Sequence, residues 1–204
     1  MKNFIAKMGA VLIVFLAASA SYAGTMKDHR DGKTYKTVKI GDQEWMAENL
    51  NYQTGESKCY DNKPENCDKY GRLYVWGEAV TACPDGWHLP NNQEFEDLKT
   101  LAGQKAGDIK KAGAVLKSTT GWKDNDGKSG NGTDGLGFGA LPAGRYLSSY
   151  DRFLIEGDFA FFWSSSEANS NFACRLYLNY YDESADVSYN IKDNGFSVRC
   201  VKNP

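Results

Sequence analysis

Five cysteines, at positions 59, 67, 83, 174 and 200, set the tightest limit on what this 204-residue chain can fold into. Their meaning depends on compartment, because thiols stay reduced in the cytosol and pair outside it. The N-terminus bears on that question. Lys2 and Lys7 are followed by an unbroken apolar or small run from Met8 to Ala18, and then by Ser21-Tyr22-Ala23 as a cleavage tripeptide. That is the order of a secretory leader, and the run is too short to span a bilayer. Residues 1–23 are read as a signal peptide, and no cysteine stands at the cleavage point to carry a lipid. The expectation is a chain exported to the periplasm, the cell surface or the medium, with two disulfides and one odd thiol. Spacing alone leaves the pairing open. No later segment is apolar enough to form a transmembrane helix.

Loss of Lys2 and Lys7 leaves 22 basic against 26 acidic residues, a net charge of about −4. A nucleic-acid partner would want a basic face, so that class is excluded. The remaining length suits a single domain over residues 31–204, behind a short polar lead-in at 24–30. Twenty-one glycines, 12 tyrosines and 5 tryptophans point to a loop-rich fold with aromatic packing rather than a helical bundle.

Patterning supplies the elements. KTYKTVKIG alternates like a strand, and Gly41-Asp42 turns it into a second one. CYDNKPENC reads as a turn-rich loop, and RLYVWGEAV as a short strand or helix. In PNNQEFEDLKTLAG, Asn91 and Glu94 make a capping box, Phe95, Leu98 and Leu101 fall at helical spacing, and Gly103 is the expected stop. A second amphipathic segment lies near Ile109 to Leu116. The glycine-rich stretch from Gly121 to Gly144 reads as ordered surface loops. DFAFFWSSS, FACRLYLNY, ADVSYNI and GFSVRCVK read as strands. In FACRLYLN, Phe172, Cys174, Leu176 and Leu178 share one face, so Cys174 is expected to be a free, buried thiol. Helices in the middle and strands at both ends make an α+β pattern, with mostly antiparallel strands, one or two helices and long glycine-rich loops.

Several residue types invite chemistry. His88 has no metal-site spacing around it and reads as packed or hydrogen-bonded architecture. Asp124, Asp126 and Asp134 are weak calcium candidates; counted from Asp124, the EF-hand pattern fails at Lys128, Ser129 and Gly135. The serines of FWSSSE lack a nucleophile elbow and a placed histidine. A catalytic thiol needs access and a lowered pKa, which the core-facing position of Cys174 denies it. No catalytic residue and no cofactor is assigned. The outward aromatics are the better signal. Arg175, Tyr177, Asn179 and Tyr181 share a strand face, and Tyr146 and Tyr150 flank a turn. Aromatic faces beside amides and charges suit flat polar ligands such as sugars.

DGKTYKTVKIGDQEWMAENLNY, YGRLYVWGEAV, CPDGWHLPNNQEFEDL, GTDGLGFGALPAG, FWSSSE and GFSVRCVK occur in this order. Together they resemble the Fibrobacter succinogenes major paralogous domain family, over roughly residues 31–202. That family is secreted or surface-associated. At a further remove, GWHLPNNQEFEDL with a terminal GFSVRC is similar to the core of the C-type-lectin-like and formylglycine-generating-enzyme folds. The resemblance implies a C-type-lectin-like core stapled by Cys83–Cys200, with Cys59–Cys67 closing the local loop and Cys83–Cys174 as the rival pairing. Pro90 would end a strand and Asn91 open the helix, with Trp87 and Phe95 in the core. The departures are specific. The calcium-ligating motifs of sugar-binding C-type lectins are missing, and Cys200, assigned to a bridge, is left without a second thiol for a copper pair.

The expectation is a secreted, non-enzymatic binding or adhesion module, with a polysaccharide or a cell-surface protein as partner. The alternatives are an enzyme related to the formylglycine-generating group and a surface scaffold without a small ligand.

Overall fold

The computed structural model describes residues 22–204, so the leader expected over residues 1–23 lies almost entirely outside the described residues. In chain order the strands are β1 (Tyr22–Lys27), β2 (Thr34–Ile40), β3 (Gln43–Met46), β4 (Trp87–His88), β5 (Asp124–Asn125), β6 (Lys128–Ser129), β7 (Arg145–Leu147), β8 (Arg152–Leu154), β9 (Phe159–Glu167), β10 (Phe172–Asn179), β11 (Asp186–Ile191), β12 (Asn194–Gly195) and β13 (Val201–Lys202). The α-helices are α1 (Pro64–Tyr70), α2 (Trp76–Ala82), α3 (Asn92–Ala106) and α4 (Ala112–Leu116). All pairings between these strands are antiparallel. The protein is therefore a mixed α/β fold with antiparallel sheets.

The larger sheet has the order β1-β2-β3-β13-β4, which inserts the C-terminal strand beside the N-terminal hairpin. Two three-stranded sheets follow, β11-β10-β9 and β12-β7-β8, with a β5-β6 hairpin. The segment read as a polar lead-in is structured: β1 pairs with β2, and the Asp28 carboxylate behind it is fully buried. The β2 pattern explains the sheet's position. Val38 and Ile40 face one core with Trp45, Phe95, Leu98, Phe162, Leu176 and Val201. Tyr35 faces a second core with Met46, Leu50, Tyr74, Trp163, Phe196, Val198 and Cys200.

The capping box forms as expected. Asn91 Oδ1 accepts from the Glu94 backbone N–H at 3.0 Å, and Glu94 Oε2 accepts from the Asn91 N–H at 2.8 Å. The helix does not stop at Gly103, however. It runs on to Ala106, and Gly107 caps it with a left-handed φ of 74°. Gly103 serves close packing instead, since a Cβ there would sit 2.8 Å from Ile109 Cα. CYDNKPENC is not only a loop: Pro64 takes the first position of α1, where its missing N–H costs nothing. RLYVWGEAV divides: Leu73 and Tyr74 make single antiparallel bridges to Lys58 and Phe196, and helix α2 begins at Trp76. GFSVRCVK is strand only at its ends, yet Phe196, Val198 and Cys200 share one buried face as the alternation predicts.

Both bridges form, Cys59–Cys67 and Cys83–Cys200, and Cys174 is the free thiol. Chain-entropy estimates assign about 4.9 kcal/mol to the long bridge and about 2.6 kcal/mol to the short one.

Candidate functional site

β10 is the middle strand of its sheet, and its two faces have different fates. Leu176 and Leu178 turn toward the first core, beneath α3. Arg175 and Tyr177 turn the other way, toward Phe159 and Phe161 of β9. Cross-strand neighbours on one face approach within ring-contact distance, so alternating aromatics on β9 must stack on Tyr177. Phe159 lies 5.7 Å from Phe161 at an interplanar angle of 10°, and Tyr177 lies 6.2 and 6.0 Å from these two rings. Tyr181, 49% exposed, meets Phe159 edge-on at 5.9 Å. The stack continues inward through Phe196 to Trp163. The result is an aromatic face that is rooted in the second core and opens outward through half-buried Phe159 and Tyr177.

The Arg175 guanidinium sits 4.4 Å from the Tyr177 ring centre and 5.2 Å from that of Phe161. Burial pushes its pKa down to about 10, which leaves it charged at neutral pH. Burial also raises the Tyr177 hydroxyl, reinforced by Asp186, its cross-strand partner on β11.

Of the six residues expected to bind, only Arg175, Tyr177 and Tyr181 come together. Asn179 is buried: its Oδ1 accepts from the N–H groups of Tyr181 and Asp182, so it builds the turn that presents Tyr181. Tyr146 is buried against Phe153, and its hydroxyl donates to Asp151. Tyr150 is 73% exposed on a separate turn. Phe159 and Phe161 were missed as site residues because they read as strand core. The signal was available, since DFAFFWSSS is aromatic on both faces.

Several of the other candidates take part in contacts within the fold. His88 Nδ1 lies 2.8 Å from Asn203 Oδ1, and its Nε2 lies 3.0 Å from Glu94 Oε1, tying β4 and the C-terminus to the start of α3. Ser166 Oγ accepts from the Asn92 N–H of that helix, and Ser164 is buried. Asp124 and Asp126 lie on the β5-β6 hairpin, whereas Asp134 Oδ1 accepts from the Gly139 N–H at 2.6 Å. Among the described residues no group of three His, Cys, Asp or Glu side chains is placed to hold a metal ion. Cys174 is half-buried rather than buried, and desolvation raises its thiol pKa, away from the nucleophilic thiolate. Arg199 is fully buried: Nε donates to Asn49 Oδ1 at 2.6 Å, and the terminal nitrogens donate to the carbonyls of Met46, Phe138 and Gly139.

A cavity of about 360 Å³ opens elsewhere, between β2, the chain after β3 and the end of α1, lined by Tyr35, Asn49, Asn51 and Tyr70. It lacks a stacked ring pair; part of its lining is engaged within the fold, while Asn51 Oδ1 is buried without a partner. Asn49 bonds the Tyr70 carbonyl, and the Tyr35 hydroxyl accepts from the Asn51 N–H.

The sequence model of the Fibrobacter succinogenes major domain matches residues 38–202. No curated protein and no solved structure matches the chain.

Proposed function

The chain belongs to the Fibrobacter succinogenes major domain family, and from that premise we propose that it is a non-enzymatic binding module that takes polysaccharide on the aromatic face. In this reading the leader exports it, the fold is built on a C-type-lectin-like core, and it works outside the cell, freely or at the surface. The two disulfides fit an oxidising compartment. Among the described residues no helix is long and apolar enough to cross a membrane.

The observation that carries the reading is the stack of Phe159, Phe161 and Tyr177, opened at its edge by Tyr181 and flanked by Arg175. A pyranose ring presents a flat C–H face to such a stack and hydroxyls to its polar flank. Because Tyr181 is half-exposed at the rim, its removal is expected to spare the fold. Tyr181→Ala should weaken saturable polysaccharide binding by about tenfold, in line with the loss of one aromatic anchor at a binding surface. Binding isotherms on insoluble and soluble glycans, with the melting temperature as a folding control, check this. Failure to bind any glycan would overturn the reading, and a surface protein would become the partner to seek.

A further inference from the structure

Two cations on the aromatic face have no counterion among the described residues. Arg145 on β7 and Arg175 on β10 share the Phe161 ring, their guanidinium carbons 6.0 and 5.2 Å from its centre. The Nε of Arg145 and the Nε and Nη1 of Arg175 are buried without a hydrogen-bond partner. Neither side chain enters an ion pair among the described residues. The acid that Arg175 senses, Asp186, is exposed on β11 and lies outside ion-pair distance.

Two other arginines, Arg30 and Arg199, are fully provided with acceptors. Arg30 makes a forked pair with Asp28, and buried Arg199 has four acceptors. Removing charge from water without a partner costs stability, and placing two like charges on one ring adds to that cost. The buried nitrogens are out of a ligand's reach, but Nη1 and Nη2 of Arg145 and Nη2 of Arg175 are not among them and make no hydrogen bond within the described residues, so an anion can meet them. Both side chains are half-buried, and through Phe161 and Tyr177 both guanidinium groups adjoin the aromatic face.

We propose that Arg145 and Arg175 read an anion, and that the saccharide taken by this face carries carboxylates, as a polyuronate does. This rests on the polysaccharide reading above and narrows it. The Nη1–Nη2 fork of Arg145 matches a carboxylate in two parallel hydrogen bonds and Nη2 of Arg175 offers a further donor, while the neighbouring rings take the sugar's apolar face. A carboxylate would also supply the countercharge that the fold omits.

The test compares polygalacturonate, dextran sulfate and neutral dextran on the purified protein, then on Arg145→Met and Arg175→Met. The expected result is polygalacturonate bound at least tenfold tighter than dextran, with at least a tenfold loss in each variant. Dextran binding should not change in Arg145→Met, and neither variant should melt earlier, because each loses an unpaired cation rather than a paired one. Polygalacturonate binding unchanged in both variants would overturn the proposal, as would a preference for dextran or dextran sulfate; each leaves the aromatic-face reading standing. No binding to any of the three, nor to any glycan in the wider panel, would remove both. The glycan comparison on the unaltered protein decides the matter even where a variant fails to fold.

Discussion

At the scale of single residues, the fold spends its charge pairs unevenly. Asp28 is fully buried, and its carboxylate accepts from Arg30 at N, Nε and Nη2, at 3.0, 2.9 and 2.7 Å. The Arg30 Nη2 also reaches the Ala82 carbonyl at 2.8 Å, so this pair docks the start of the domain on the end of α2. Desolvation alone would raise the Asp28 pKa, but the hydrogen bonds and charge of Arg30 outweigh it and hold the pKa below 3.8. A carboxyl whose pKa falls on folding contributes stability above its unfolded value and loses it as pH drops through the folded value. Asp28→Asn should therefore cost about 2 kcal/mol at neutral pH, less than a fully buried pair because Arg30 reaches water. The difference from the unaltered protein should shrink in acid below the Asp28 pKa. Urea unfolding of both proteins across that range checks it, and a pH-independent difference would contradict it. None of this was legible in the sequence. The stretch around Asp28 is polar, and its anchor on Ala82 lies 52 residues away. Asn179 and Tyr146 were misread for a similar reason. Strand alternation says which way a side chain points, but not whether another element covers it.

At the scale of elements, what is local was legible and what is tertiary was not. The α3 start follows from Asn91 and Glu94, three residues apart, and needs nothing else. Its end depends on a neighbour. Gly103 is kept by contact with Ile109, which no local rule foresees. Gly103→Ala makes a sharp test. Helix propensity favours alanine by about 1 kcal/mol. Against that, the added methyl would lie 2.7 Å from Ile109 Cδ1 and 2.8 Å from its Cα, so backbone must move. Overpacking of this kind costs about 1–3 kcal/mol, and a net loss of stability is expected. A raised denaturation midpoint would show that the contact relaxes freely. The site shows the same division. Alternation in FACRLYLNY foretold that Arg175 and Tyr177 share a face. The pairing of that face with β9, and the approach of Arg145 from β7, required the sheet order.

At the scale of the whole molecule, long-range pairing builds the frame. β13 slots between β3 and β4, and Cys83–Cys200, with a sequence separation of 117, fastens it beside α2. The pairing expected from family resemblance forms, although spacing alone could not have selected it. On this frame the three-stranded sheet holds its aromatic face rigid, since Phe161, Phe196 and Trp163 continue the stack into the core. A preorganised surface of this kind loses little entropy on binding. The most direct test is an NMR titration with polygalacturonate, following the side-chain resonances of Arg145, Arg175, Tyr177 and Tyr181. Binding on the aromatic face predicts saturable shifts at these four, with Tyr35, Asn51 and Tyr70 of the separate cavity unmoved. Shifts at Tyr35, Asn51 and Tyr70, with none on the aromatic face, would place the site elsewhere and contradict it.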